Sequence, residues 1–178
     1  IDPAPGAVVS PADGVVSQTG VIEHGELLQA KGIRYSFQAL ADVCARPEFE
    51  GGAFATVYLS PSDYHRVHLP LAGRLVRTVA IPGKLFSVNA TTEAGIEGLF
   101  AVNERLVIEF ETAFGPMLVV MVGAMVVASI ETVWDGPASP YRARTVTAHD
   151  LAFEAGDEIG RFLLGSSVVL AFERGRVA

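Results

Sequence analysis

Short runs of strand-forming residues, each fenced by glycine or proline, recur along almost the whole chain and point to a mainly β fold. The candidate strands are Ala7–Val9, Gly14–Val21, Phe54–Tyr58, Arg66–Leu69, Gly73–Ile81, Glu104–Glu111, Met117–Ile130 with a break near Gly123, and Ser167–Phe172. Each is rich in Val, Ile, Leu or Phe, side chains that suit a pleated, half-buried surface. Phe114-Gly115-Pro116 marks a turn between two of them. Helical signals are few. Phe37, Leu40, Ala41 and Cys44 recur at helical spacing, so Ser36–Ala45 is expected to be a helix with Ser36 as its N-cap. Ser60-Pro61-Ser62-Asp63 reads as N-cap, N1 proline and acidic N3, predicting one short helical turn. The polar, proline-punctuated segment Asp135–Ala148 reads as a loop.

A weak internal similarity narrows the architecture. Pro11-Ala12-Asp13-Gly14 and Pro70-Leu71-Ala72-Gly73 both place a proline, two residues and a glycine before a strand, and Gly156–Phe162 has the look of a turn entering another. Hairpins of this kind recur in barrel-sandwich hybrid folds. The expected fold is therefore mainly β with a few short helices, around a barrel-sandwich-hybrid-like core of short antiparallel strands. The 178 residues suit a single domain.

Charge and composition exclude several functions. The formal net charge is −7, and Lys31 and Lys84 are the only lysines, so neither a nucleic-acid footprint nor a basic membrane-docking patch is present. Cys44 is the single cysteine, which rules out an intrachain disulfide and a zinc site of several thiolates. The longest apolar run, Met117–Ile130, is too short to span a bilayer as a helix and reads as buried strand. No signal peptide is legible. The chain opens with Ile1-Asp2-Pro3 rather than Met, and is expected to be part of a longer protein.

Four segments carry potential chemistry: Ser10–Gly14, Tyr64–His68, Pro82–Asn89 and Leu164–Ser167. A serine hydroxyl can attack the carbonyl just upstream of it and shift the acyl group from nitrogen to oxygen. Gly165 before Ser166 would ease that approach. The same dipeptide also serves as a turn entering a strand. His65 and His68 suit proton transfer near neutral pH, and in an extended segment their spacing of three places them on opposite faces. Two hydrogen-bonded histidines at a strand edge are the plainer reading. They have no convincing third ligand, so no metal site is expected. Asp13 reads either as a turn aspartate bonding its own backbone or as a carboxylate that orients a histidine.

Taken together and in this order, the four segments resemble those of phosphatidylserine decarboxylases. The likeness extends to Phe54–Leu69, with its Tyr-Leu-Ser-Pro-Ser-Asp-Tyr-His-Arg-Val-His run, to Phe-Ala-Val-Asn-Glu-Arg within Leu99–Arg105, to Gly115-Pro116 and Val122-Gly123-Ala124, and to Ser129–Trp134. It covers roughly Val8 to Phe172, which makes coincidence improbable. Two departures stand out. The family commonly has Gly-Ser-Thr where this chain has Gly165-Ser166-Ser167. The membrane-associating amino-terminal segment of the bacterial enzymes is absent from this sequence.

The resemblance implies a self-processing enzyme. Asp13 would orient His68, His68 would take the proton of Ser166, and the chain would break between Gly165 and Ser166. A large chain of residues 1–165 and a small chain of residues 166–178 would result and stay associated, the small one beginning with a pyruvoyl group derived from Ser166. That covalent cofactor would act as electron sink in converting phosphatidylserine to phosphatidylethanolamine and carbon dioxide, with His65 as proton donor. Phe86, Ser87, Val88 and Asn89 would line the substrate region, and Arg66 or Lys84 would meet the lipid phosphate. A peripheral position on the cytoplasmic side of the cell membrane and a homodimer are further expectations. The rival readings are a non-catalytic barrel-sandwich carrier module, a histidine phosphotransfer domain using His65 or His68, and a decarboxylase of a related lipid such as archaetidylserine.

Overall fold

A computed structural model of the chain describes residues 4, 6–125, 130–137, 140–163 and 165–177. In chain order the elements are β1 (Val15–Val21), β2 (Glu26–Ala30), β3 (Ile33–Ser36), α1 (Phe37–Ala41), β4 (Ala53–Leu59), β5 (Arg66–His68), β6 (Gly73–Ile81), α2 (Ala90–Glu93), α3 (Leu99–Val102), β7 (Arg105–Thr112), β8 (Gly115–Val122), β9 (Ile130–Thr132), β10 (Gly136–Pro137), β11 (Thr145–Phe153), β12 (Glu158–Phe162) and β13 (Ser166–Phe172). Short 3₁₀ turns at Asp42–Cys44 and Pro47–Phe49 follow α1.

The strands form three sheets with antiparallel pairing. A seven-stranded sheet runs β1-β4-β13-β8-β7-β6-β11, a four-stranded sheet runs β10-β9-β12-β5, and β2 pairs with β3 alone. The mainly β expectation holds, and among the described residues the sheets form no closed barrel.

The large sheet is the middle layer, because its central strands are apolar on both sides. Met117 to Val122 of β8 are each 0% exposed. At about 1.5–3 kcal/mol per large aliphatic side chain removed from water, this strand alone is a major source of stability. Successive residues enter different cores, as the two-residue period of a strand requires. Val107, Leu118, Val120 and Val169 pack with Leu27, Phe37, Leu40 and Phe100, from the β2–β3 hairpin and the helices. Ile108, Phe110, Val119, Val168 and Leu170 pack with Val67, Ile130, Ile159 and Phe162, from the small sheet.

Buried polar groups tie the helical layer down. Gln29 is fully buried; its amide donates to the carbonyls of Glu93 and Ile96 at 2.7 Å and its oxygen accepts from the Leu99 N–H at 2.9 Å. Arg105 donates to the carbonyls of Ala39, Leu40, Ala101 and Asn103, so one guanidinium serves the ends of both α1 and α3. Glu109, 2% exposed, is bonded by Arg46.

Several local expectations are corrected. Asp135–Ala148 is not all loop: it contains β10, and Thr145 opens β11, which pairs with β6. Ser60–Asp63 forms a turn and not a helix. The Ser60 N–H donates to the Asp63 carboxylate at 2.7 Å and Asp63 N–H to the Ser60 carbonyl at 3.0 Å, but the chain runs on toward β5. Ala7–Val9 forms no strand, although the Val9 N–H reaches the Pro70 carbonyl at 3.1 Å. The Ser36 N-cap is as expected, its hydroxyl accepting from Ala39 N–H at 3.1 Å, while the α-helix stops at Ala41. Residues 126–129 of the expected Met117–Ile130 run lie outside the described residues.

Candidate active site

The opening of β13 sets the geometry. Ser166 pairs with Leu59 of β4, and Ser167 lies between Tyr58 of β4 and Val122 of β8. Strand alternation puts Ser166 on the same face as Val168 and Leu170, toward the small sheet that carries β5. Ser166 is 1% exposed, and its hydroxyl has no hydrogen-bond partner among the described residues; the Ser167 hydroxyl and Nε2 of His65 are likewise buried without partners among them. Leaving a buried hydroxyl unpaired costs about 1–3 kcal/mol, so such a group calls for a functional account.

Gly165 is wedged against the Ser60–Asp63 turn. A Cβ there would fall 3.1 Å from the Leu59 carbonyl oxygen and 3.2 Å from N and Cδ of Pro61. The backbone of the Gly165-Ser166 bond thus approaches its neighbours at a distance that a side chain would contest. On Gly165 opens a cavity of about 180 Å³, lined by Tyr58, Pro61, Ser87, Val88, Asn89, Ala124 and Met125. Ser87, Val88 and Asn89 therefore line the same cavity as Gly165. Phe86 is 40% exposed and does not line the cavity. The Asn89 carboxamide oxygen accepts from the N–H groups of Thr91 and Thr92 as the cap of α2. Leu164, part of the expected cleavage segment, lies outside the described residues.

Asn103, which sequence reasoning gave no role, holds this loop in place. Fully buried, it accepts from Phe86 N–H at 3.1 Å and donates to the carbonyls of Phe86 at 2.8 Å and Gly123 at 2.9 Å. Lys84 N–H donates to the Val102 carbonyl, and Glu104 N–H to the Lys84 carbonyl, completing the tie.

The three similar turns legible in the sequence meet around β5. His68 N–H donates to the Pro11 carbonyl at 2.7 Å, Leu69 N–H to the Asp157 carbonyl at 2.9 Å, and Gly156 N–H to the Leu69 carbonyl at 2.8 Å. His65 lies one residue before β5, and its carbonyl accepts from Phe162 N–H at 2.9 Å, which ties it to the approach to Gly165. The His68 ring is held at both nitrogens: Nδ1 is 2.8 Å from the Gly156 carbonyl oxygen and Nε2 is 3.1 Å from the Tyr64 hydroxyl. In this arrangement Asp13 is not the partner of His68. Its turn reaches His68 through the Pro11 carbonyl, while its own side chain is exposed and makes no hydrogen bond among the described residues.

Arg66 is not brought to the Gly165 cavity either. It is bonded to Glu158 and lines a separate cavity of about 360 Å³ with Glu131, Gly160 and Arg161. Register explains this, since Arg66 faces Arg161 across the β5–β12 pair.

Comparison with known proteins decides the family. Residues 1–178 match the family model described as phosphatidylserine decarboxylase. The chain belongs to the phosphatidylserine decarboxylase family. It is 53% identical over 186 residues to the phosphatidylserine decarboxylase proenzyme of Azotobacter vinelandii, covering 99% of this chain and 65% of that protein. The corresponding proenzyme of Acinetobacter baylyi is 51% identical over 178 residues, covering 99% and 62%, and that of Pseudomonas fluorescens is 54% identical over 181 residues, covering 97% and 63%. The chain thus spans somewhat less than two thirds of the length of these phosphatidylserine decarboxylase relatives. Among the described residues no helix is long and apolar enough to cross a membrane.

Proposed function

We propose that this chain is a phosphatidylserine decarboxylase that breaks its own backbone between Gly165 and Ser166 and keeps a pyruvoyl group at position 166. The observation that carries this reading is the buried Ser166 hydroxyl, without a hydrogen-bond partner among the described residues, next to a glycine that is crowded by backbone and lines a cavity. The names of the relatives, each a proenzyme, support a maturation step.

The chemistry follows from the chain's own groups. His68, once its Nε2 is released, takes the Ser166 hydroxyl proton, and the Ser166 oxygen bonds to the Gly165 carbonyl carbon. Asp13, exposed on the turn bonded to His68 N–H, would have to swing in and displace the Gly156 carbonyl from Nδ1 to steady the protonated ring. The carbon–nitrogen bond then breaks, nitrogen takes the proton, and an ester joins Gly165 to residue 166. Loss of the residue 166 α-proton and of the Gly165 carboxylate from its β-carbon leaves dehydroalanine. Water replaces its nitrogen, which departs as ammonia. Burial of the Ser166 oxygen shields the ester from water, favouring elimination over simple hydrolysis.

The pyruvoyl group would supply a carbonyl that accepts the electron pair released as carbon dioxide leaves the substrate. The buried side of His65, with Nε2 unpaired, is suited to provide the proton that takes the place of carbon dioxide. Ser87 and Val88 would shape the headgroup end of the cavity. Because the proposed substrate is a membrane lipid, the enzyme would work at a membrane surface.

Intact-mass measurement of the purified protein before and after borohydride reduction tests this directly. Two chains divided at Gly165-Ser166, the smaller gaining two hydrogens, are expected, and Ser166→Ala should give one uncut chain. Lipid turnover by protein whose Gly165-Ser166 bond is intact would overturn the proposal.

A further inference from the structure

We infer that Tyr64 is a positioning residue that restrains processing by occupying the basic nitrogen of His68. The inference rests on the proposed self-cleavage and names a control on it. The Gly156 carbonyl carries no proton, so His68 Nδ1, 2.8 Å away, must be the donor. A neutral ring with its proton on Nδ1 has its lone pair on Nε2. The Tyr64 hydroxyl, 3.1 Å from Nε2, donates into that lone pair.

The lone pair that must accept the Ser166 proton is therefore already engaged, while the Ser166 hydroxyl has no partner among the described residues. The two rings reinforce the arrangement: their centroids are 5.7 Å apart and their planes 12° from parallel. Tyr64 is 46% exposed, so on release its hydroxyl exchanges the imidazole for water with little loss. Release is thus cheap but necessary, and the tyrosine sets how often His68 is free to act.

Tyr64→Phe keeps the stacked ring and removes only the hydroxyl. It is expected to cut itself about three- to tenfold faster than the parent chain, the net value of one neutral hydrogen bond. The rate is followed by pulse-chase after cell-free synthesis. A second readout does not depend on cutting. In chains carrying Ser166→Ala, the imidazole ¹⁵N spectrum of His68 should show a protonated Nδ1 and an unprotonated Nε2. Adding Tyr64→Phe should move the Nε2 resonance downfield and leave Nδ1 protonated. An Nε2 resonance that does not move, a ring protonated on Nε2, or cutting by Tyr64→Phe no faster than by the parent chain overturns the inference. A parent chain that never cuts defeats the processing proposal instead, and the spectra alone then decide whether Tyr64 holds the ring.

Discussion

The N–H of Phe162 donates to the carbonyl of His65 at 2.9 Å, three residues ahead of Gly165. The link is made by backbone, so it survives loss of the imidazole, whereas the proton transfer proposed for His68 depends on its ring. His65→Ala should therefore still divide at Gly165-Ser166 but fail to release carbon dioxide from phosphatidylserine. His68→Ala should cut at least about 100-fold more slowly, the usual loss for a general base. Intact mass and carbon dioxide release measured on both variants check this, and normal turnover by His65→Ala would refute the division of labour.

Gly165→Ala tests the crowding at the cleavage point. The added methyl would lie 3.1 Å from the Leu59 carbonyl oxygen, which belongs to a strand and gives way poorly. A destabilisation of about 1–3 kcal/mol is expected, with slower cutting, read from urea denaturation and from the fraction of uncut chain on a denaturing gel. Unchanged stability and rate would show that the approach is looser than described.

Asn103→Ala should loosen the wall of the cavity. It leaves the part-buried N–H and carbonyl of Phe86 and the buried carbonyl of Gly123 without their partner. The expected loss is about 2–4 kcal/mol in denaturant unfolding, together with faster amide exchange at residues 85–89. Asn103→Asp, which keeps the acceptor for Phe86 N–H, should retain part of that protection.

Cys44 should be chemically silent in the native protein. It is fully buried, and burial, followed by the neighbouring Glu109 carboxylate, pushes its thiol up to about 12. A thiol-reactive dye near pH 8 should label native protein far more slowly than unfolded protein, which should take up one equivalent. Rapid native labelling would contradict the packing between the large sheet and the helices.

The pair between Asp42 and Arg144 gives a pH signature. Arg144 donates to both Asp42 oxygens, at 2.9 and 2.5 Å, and this bonding holds the carboxyl below its ordinary value of 3.8. A carboxyl lowered by folding stabilises the protein fully above its unfolded value, and that contribution is lost as pH falls through the folded value. Asp42→Asn should therefore unfold at lower urea than the parent near pH 7, with the gap closing as pH falls below the ordinary carboxyl value of 3.8. A gap independent of pH would sink the assignment.

Much of the fold was legible where burial is two-sided. β7, β8 and β13 read as long apolar runs because both of their faces meet a core, and the expected bounds of β6, Gly73–Ile81, are those observed. β11 was missed because it is an edge strand exposed along most of its length, so nothing forces apolar residues into alternation. The β2–β3 hairpin was hidden by Gln29, a polar side chain in a buried position, and by a Lys31-Gly32 turn in which both residues have positive φ.

At the site, the resemblance named Ser166, His65 and His68, and the structure brings Ser87, Val88 and Asn89 to Gly165. It leaves Arg66 with Glu158, because charge alone does not tell which partner an arginine has. Tyr64 opens the Tyr64–His68 segment, but its bond to His68 is not legible there, since it depends on where the side chains turn. Asn103 was equally opaque, because nothing in Leu99–Arg105 says that one carboxamide spans two loops.

β13 lies between β4 and β8, laddered to a neighbour along each edge. A chain severed just ahead of that strand would keep its shape, because the trailing piece is a central plank rather than a tail. Gel filtration or light scattering would register one undivided particle, and only unfolding solvent would reveal that the thread had parted.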